Sequence, residues 1–240
     1  MASRGIEVWL AARRTARLAT LVGDIEAAGG NAHVVALDVS DGKACNTHIA
    51  ALDANVGGFD IVVANAGVGM FDVGILDADF PTIDRVLQTN LVGAVATVMA
   101  VLPAMARRGR GQIVGISSIA AEIPLPAGVP YGASKAALTF FLEGLRAEVG
   151  HRGVDVTIVH PGFVKTELTA KHRFHMPFLM EVEPAAHIID RAIYQRARFV
   201  RFPWPVTVAM RLGRLVPARL RNALVRRQLP AAGPPPSIDA

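Results

Sequence analysis

A single cysteine, Cys45, occurs in the chain, so no intrachain disulfide can form. A reducing, cytoplasmic compartment is the natural expectation, with Cys45 a buried and inert thiol. Aromatics are few, at 6%, in a composition otherwise that of a soluble globular protein. No apolar run is both long and uncharged. The longest, Leu91 to Ala106, is short for a bilayer span and carries Pro103 near its end, which favours a buried core or interface helix. Met1-Ala2-Ser3-Arg4 precedes an apolar run broken at Arg13-Arg14, the wrong order for a secretory leader. No metal-ligand spacing occurs, so no metal is expected. Acids are missing from residues 191–230, which hold ten arginines, whereas residues 1–190 carry 15 Lys+Arg against 19 Asp+Glu. The net charge of +5 therefore comes from one local basic element, which argues against a nucleic-acid-binding fold.

What is present reads as one α/β domain; 240 residues suffice for a full core. Apolar strand patterns at 6–12, 32–37, 59–64, 112–116 and 154–159 alternate with helical patterns at 16–28, 43–56, through Asn90, and from Tyr131 onward. This alternation predicts a doubly wound parallel sheet, Rossmann-like, with strands apolar on both faces. A helix near 184–196 leads to a final edge strand at 198–205 closed by prolines. The body is expected to span 1–204. Residues 205–230 form a basic amphipathic segment that Pro217 breaks or kinks, and the Pro/Gly-rich 231–240 a disordered tail. Leu212, Leu215, Val216, Leu220, Ala223 and Leu224 fall on one side of that segment, with Arg211, Arg214 and Arg221 opposite. Two readings stay open: peripheral contact with an anionic membrane, or a helix folded over a pocket with its arginines in water.

The chemistry concentrates between Ser118 and Lys135. Ser118 follows the strand at 112–116, so its hydroxyl emerges at the carboxyl end of a strand, where open α/β sheets place ligands. Tyr131 and Lys135 lie four apart at the start of a helix, on one face. A cation fixed beside a phenol favours the phenolate and lowers its pKa from about 10 toward the working range of a proton-transfer catalyst. Taken singly, a Tyr-x-x-x-Lys pair is an ordinary helix face and a lone serine a cap; the joint placement is far more specific.

These residues resemble the active-site segment of the short-chain dehydrogenase/reductase family. Asn65-Ala66-Gly67, Asn90 in Thr89-Asn90-Leu91, and Pro161-Gly162-x-Val164-x-Thr166 match it further, and the resemblance covers roughly residues 5–200. It implies an oxidoreductase interconverting a carbonyl and a secondary alcohol. Tyr131 would pass the proton, Lys135 would lower the phenol pKa and hold the nicotinamide ribose, Ser118 would bind the substrate oxygen, and Asn90 would support a water-linked proton relay. It also implies cofactor contacts from Asp38-Val39 to the adenine, from Asn65-Ala66-Gly67 to the adenosine and ribose, and from Pro161, Gly162, Val164 and Thr166 to the nicotinamide. Arg13 and Arg14 stand where an acid would favour NAD(H), so NADP(H) is expected; the plain alternative is a solvated turn. Asp38 could equally cap the next helix. The helix matching 91–106 often packs across a dimer interface in the family, so a homo-oligomer, dimer or tetramer, is implied. His160 is expected to be structural. The stretch after Thr166 corresponds to a lid; Phe174, Met176, Phe178, Leu179 and Met180 in it suggest a small apolar carbonyl or alcohol substrate, or simply packing.

The family pattern opens with a strand and the turn Thr-Gly-x-x-x-Gly-x-Gly, which brings backbone and a helix N-terminus to the pyrophosphate. Met1–Gly5 aligns beyond it, so roughly thirty residues of the pattern have no counterpart. The strand would lie between 6–12 and 59–64, and its absence is expected to leave two apolar edges unpaired. Either a longer reading frame supplies it, or the chain has lost dinucleotide binding and serves as a non-catalytic binding or scaffold protein.

Overall fold

Among the described residues six short strands form where the apolar runs mark them, all pairing in parallel, but they divide into two sheets. The computed structural model describes residues 1–70, 74–124, 128–170, 176–217 and 219–220. In the first sheet β1 (Val8–Ala12) pairs with β2 (Ala32–Ala36). The second runs β3 (Ile61–Ala64), β4 (Gly111–Ile116), β5 (Val154–Pro161), β6 (Phe199–Phe202). No ladder joins β1 to β3 among the described residues; instead both border one deep cleft, which takes in Ile6–Arg14 on one wall and Gly58–Val68 on the other. The unpaired edges expected from the sequence are therefore present, facing each other.

The two sheets are held together by helices rather than by backbone. Helix α1 (Thr15–Ala27) packs on β2, and α2 (Gly42–Asn55) lies against α4 (Gly93–Arg108). Val35 of the first sheet and Leu37 just after it share a buried cluster with Val98, Val101 and Met105 of α4 and Ile113 and Ile158 of the second. Burying each such side chain contributes about 1.5–3 kcal/mol, enough to hold the halves without a continuous ladder. Ile113 faces that cluster, while its neighbour Val114 faces α7 (Val182–Tyr194) through Ala185 and Ile193. Alternate residues of β4 are thus buried on opposite faces, as the unbroken apolar run requires.

Helix α3 (Phe80–Leu87), a π-helical turn at Gln88–Val92 and α4 make one continuous helix, Phe80–Arg108, long and apolar enough by length and composition to cross a bilayer. Val98, Val101 and Met105 are fully buried in the domain core, which accounts for part of the apolar composition, whereas Val92 and Met99 are exposed. Gly93, where α4 begins, presses on the loop after β2: a Cβ there would stand 2.4 Å from the Val39 carbonyl oxygen. Beyond these lie α5 (Val129–Val149), the single turn α6 (Glu167–Ala170) and α8 (Trp204–Leu215), which ends just before Pro217. The tail 231–240 lies outside the described residues.

Candidate active site

Helix α5 opens with Pro130 in its first turn and sets Tyr131 and Lys135 on the face turned toward the end of β4. Ser118, just past that strand, caps a short 3-10 turn by accepting from the Ala120 amide at 3.1 Å, and its side chain is also hydrogen-bonded to the Tyr131 hydroxyl. Lys135 is buried, its Nζ 5.9 Å from the Tyr131 ring centre and donating to the Ile116 carbonyl at 2.8 Å. Serine, phenol and amine therefore meet at the carboxyl end of the sheet.

The electrostatics differ from the expectation. Burial pushes the Tyr131 phenol above its ordinary value, and the Ser118 hydrogen bond only partly offsets this. Burial also lowers Lys135 to about 8. A helical spacing reveals the neighbouring amine but not the desolvation that works against both charged forms.

Asn90 sits in the π-helical turn, fully buried, and does not border the cleft. Its Oδ1 accepts from the Val68 amide at 2.7 Å, and its Nδ2 donates to the Val68 carbonyl at 2.9 Å and to Ser134 Oγ at 3.0 Å. Ser134 in turn donates to the Tyr131 carbonyl at 2.7 Å. The amide ties the loop after β3 to the first turn of α5. Ser134 carries no motif, although its place on the helical face between Tyr131 and Lys135 is a usable signal.

The remaining candidates line the same cleft of about 2140 Å³: Arg13, Arg14, Asp38, Val39, Asn65, Ala66, Gly67, Pro161, Gly162, Val164 and Thr166, with Ser118, Tyr131 and Lys135. Burial raises the Asp38 pKa, but hydrogen bonds from Ser40 and the Arg13 charge outweigh it and hold the carboxyl below its ordinary value. Arg13 Nη1 lies 3.8 Å from it. Asp41, not Asp38, caps α2, accepting from the Ala44 amide at 3.0 Å. Arg14 pairs with Glu167 at 2.9 Å, and Arg17 bonds the same carboxylate. Gly162 closes on the next strand: its amide donates to the Phe202 carbonyl at 2.6 Å, and a Cβ would come 2.7 Å from Pro203 Cδ. Of the lid stretch, Pro177 borders the cleft, whereas Phe178 and Leu179 are exposed and Met180 bridges to Val164. Phe178 and Leu179, expected either to face the substrate or to pack, do neither: both are exposed and neither borders the cleft, and Phe178 adopts φ 57. Phe174 lies outside the described residues.

This lining fits the implied dinucleotide in kind. An acid and arginines, the small residues Ala66 and Gly67, and Tyr131, Lys135 and Pro161-Gly162 all line it.

His160 anchors a second polar chain that carried no motif. It is 2% exposed, with Nδ1 3.0 Å from Glu122 Oε1 and Nε2 2.9 Å from Thr139 Oγ1. Arg201 bonds the same Glu122 oxygen. Ser117 Oγ, 2.8 Å from Thr139 Oγ1, donates to the Lys135 carbonyl at 2.9 Å. Burial pushes the His160 ring down to about 4, so it is neutral at pH 7, with Nδ1–H donating to Glu122. Because the folded value lies below the ordinary 6.5, its contribution is present above about pH 6.5 and is lost as pH falls toward 4. His160→Gln is expected to remove about 3 kcal/mol of this acid sensitivity. Urea melts at about pH 7 and pH 4.5 check it, since an unchanged difference between them would assign the sensitivity elsewhere.

A profile of the short chain dehydrogenase family matches residues 1–176. The chain is 44% identical over 230 residues to an uncharacterised oxidoreductase of Myxococcus xanthus, covering 95% of this chain and 89% of that one. Among solved structures, a metagenomic short-chain oxidoreductase in complex with NADP is 33% identical, with a TM-score of 0.64 over 69% of this chain and 75% of that one. A short-chain dehydrogenase from Sphingobium yanoikuyae, in complex with NADPH, is alike in fold, at 24% identity and a TM-score of 0.77 over 89% and 87% of the two chains.

Proposed function

Because the chain belongs to the short-chain dehydrogenase/reductase family and is an oxidoreductase of that family, we propose that it interconverts a carbonyl and a secondary alcohol using NADP(H). The observation that carries this reading is the meeting of Ser118, Tyr131 and Lys135 in a cleft continuous with the residues suited to a dinucleotide. The cofactor supplies the hydride. In the reducing direction the Tyr131 hydroxyl gives its proton to the carbonyl oxygen, and Ser118 donates a hydrogen bond to that same oxygen. Lys135 holds the nicotinamide ribose and places its charge beside the phenolate that forms. Asn90 acts as a positioning residue through Val68 and Ser134.

Asp38, Val39, Asn65, Ala66 and Gly67 would hold the adenosine half, and Pro161, Gly162, Val164 and Thr166 the nicotinamide. Arg13 and Arg14 favour NADP(H), because a 2′-phosphate offers Arg14 the charge that Glu167 now supplies. Val164, Leu168, Pro177 and Met210 along the cleft favour a small apolar carbonyl or alcohol. Val92 and Met99, exposed on the long helix, favour a homo-oligomer formed through it. A buried Cys45 as sole thiol suits a cytoplasmic setting.

The gap between β1 and β3 favours a second reading, a binding or scaffold protein without turnover. Fluorescence titration of the 240-residue chain with NADPH and NADH separates the two. The enzyme reading expects tighter binding of NADPH and its oxidation by apolar ketones. Binding of neither by this chain, and none with the family's opening strand and Gly-rich turn supplied ahead of it, would favour the scaffold.

A further inference from the structure

We propose that helix α8 seats the protein on an anionic lipid surface through an apolar stripe that faces away from the body. This stands apart from the oxidoreductase reading, since it concerns a face outside the catalytic residues. The inner side of α8 is already used: Val206 is buried, Met210 borders the cleft, and Gly213 packs so close to Ile123 that a Cβ would lie 3.0 Å from its Cδ1. Trp204, Val208, Leu212 and Leu215 are spaced four, four and three apart, which puts them on one opposite face. They are 75%, 45%, 59% and 80% exposed. A helix with a core-facing side needs no second apolar side to fold, so this one calls for a different partner.

The surrounding charge selects the partner. Arg211, expected on the opposite side, instead flanks the stripe in α8; exposed Arg219 and Leu220 follow Pro217, and residues 191–230 hold ten arginines without an acid. The rest of the chain is mildly acidic, so this end alone is drawn to a negative surface. A second copy docked on the same face would bring the same arginines together, which disfavours it. A nucleic acid would meet the arginines but leave the apolar stripe in water. Anionic headgroups above acyl chains satisfy both, and a tryptophan at the end of the stripe suits the headgroup boundary. Met210 on the inner face would then place the cleft close to the bilayer.

Flotation of the full chain with vesicles of phosphatidylcholine, alone or with roughly a third phosphatidylserine, tests this. Recovery is expected on the anionic vesicles and to be about tenfold lower on the neutral ones. Leu212→Glu with Leu215→Glu is expected to lower anionic recovery about tenfold while circular dichroism, thermal melting and NADPH binding stay as they were. Trp204 emission should shift to the blue on anionic vesicles, a change that Trp204→Phe removes. No recovery, equal recovery on both vesicles, or full retention by the double variant overturns the proposal. So does a lipid-free dimer that the double variant dissolves, which would assign the stripe to a second copy.

Discussion

Replacing Tyr131 by Phe is expected to lower kcat for carbonyl reduction by about 10²- to 10⁴-fold while leaving NADPH affinity unchanged. The substitution removes one hydroxyl and keeps the ring, so packing at the first turn of α5 survives. What is lost is the proposed proton donor, together with the hydrogen bond to Ser118. Since burial raises the phenol above its ordinary value, the wild-type hydroxyl stays protonated through neutral pH. Reduction should therefore run level across that range, whereas alcohol oxidation, which needs the phenolate, should rise with pH. Steady-state rates in both directions, with a cofactor titration of the variant, check this. A Phe variant turning over within about threefold of wild type would remove Tyr131 from the reaction.

The second large effect belongs to Lys135. Lys135→Met is expected to lower kcat by at least about 10²-fold, yet to change stability little near neutral pH. The sign follows from where the amine titrates: about 8 in the folded protein against an ordinary 10.5. Between those values the unfolded chain binds a proton that the folded one does not. Native stability thus rises as pH climbs from about 8 toward 10.5, and below about 8 the buried charge costs about 3 kcal/mol. Methionine removes that cost but leaves the Ile116 carbonyl without its donor, a loss of about 1–3 kcal/mol. The two nearly cancel at pH 7. At about pH 9.5 wild type should gain on the variant, as urea melts at both pH values would show. A constant difference would mean that Lys135 does not titrate in this range.

Much of this was legible in the chain, for identifiable reasons. Runs such as Ile113–Ile116 carry no polar side chain because β4 is buried on both faces, and that pattern is local. The gap beside β1 was legible too, but only because the family's Gly-rich turn has no counterpart in these 240 residues, since no residue of β1 or β3 signals an open edge by itself. Distant partners were not legible. Asn90 meets Val68 and Ser134 across 22 and 44 residues, and Glu122 meets Arg201 across 79, so spacing could not reveal either group. The direction of the Tyr131 shift was missed because sequence gives the proximity of Lys135 but not the burial that overrides it. Phe178 was misplaced because apolar character says nothing of φ.

The central claim is that hydrogen passes between NADP(H) and a carbonyl carbon in the cleft where Ser118, Tyr131 and Lys135 meet. Supplying NADPH deuterated at the transferable position of its nicotinamide, with an apolar ketone, and weighing the alcohol by mass spectrometry tests it most directly. The account predicts one deuterium at the carbinol carbon with wild type and almost none with Tyr131→Phe. Bound NADPH with no deuterium in the product, or equal transfer by the Phe variant, would contradict it.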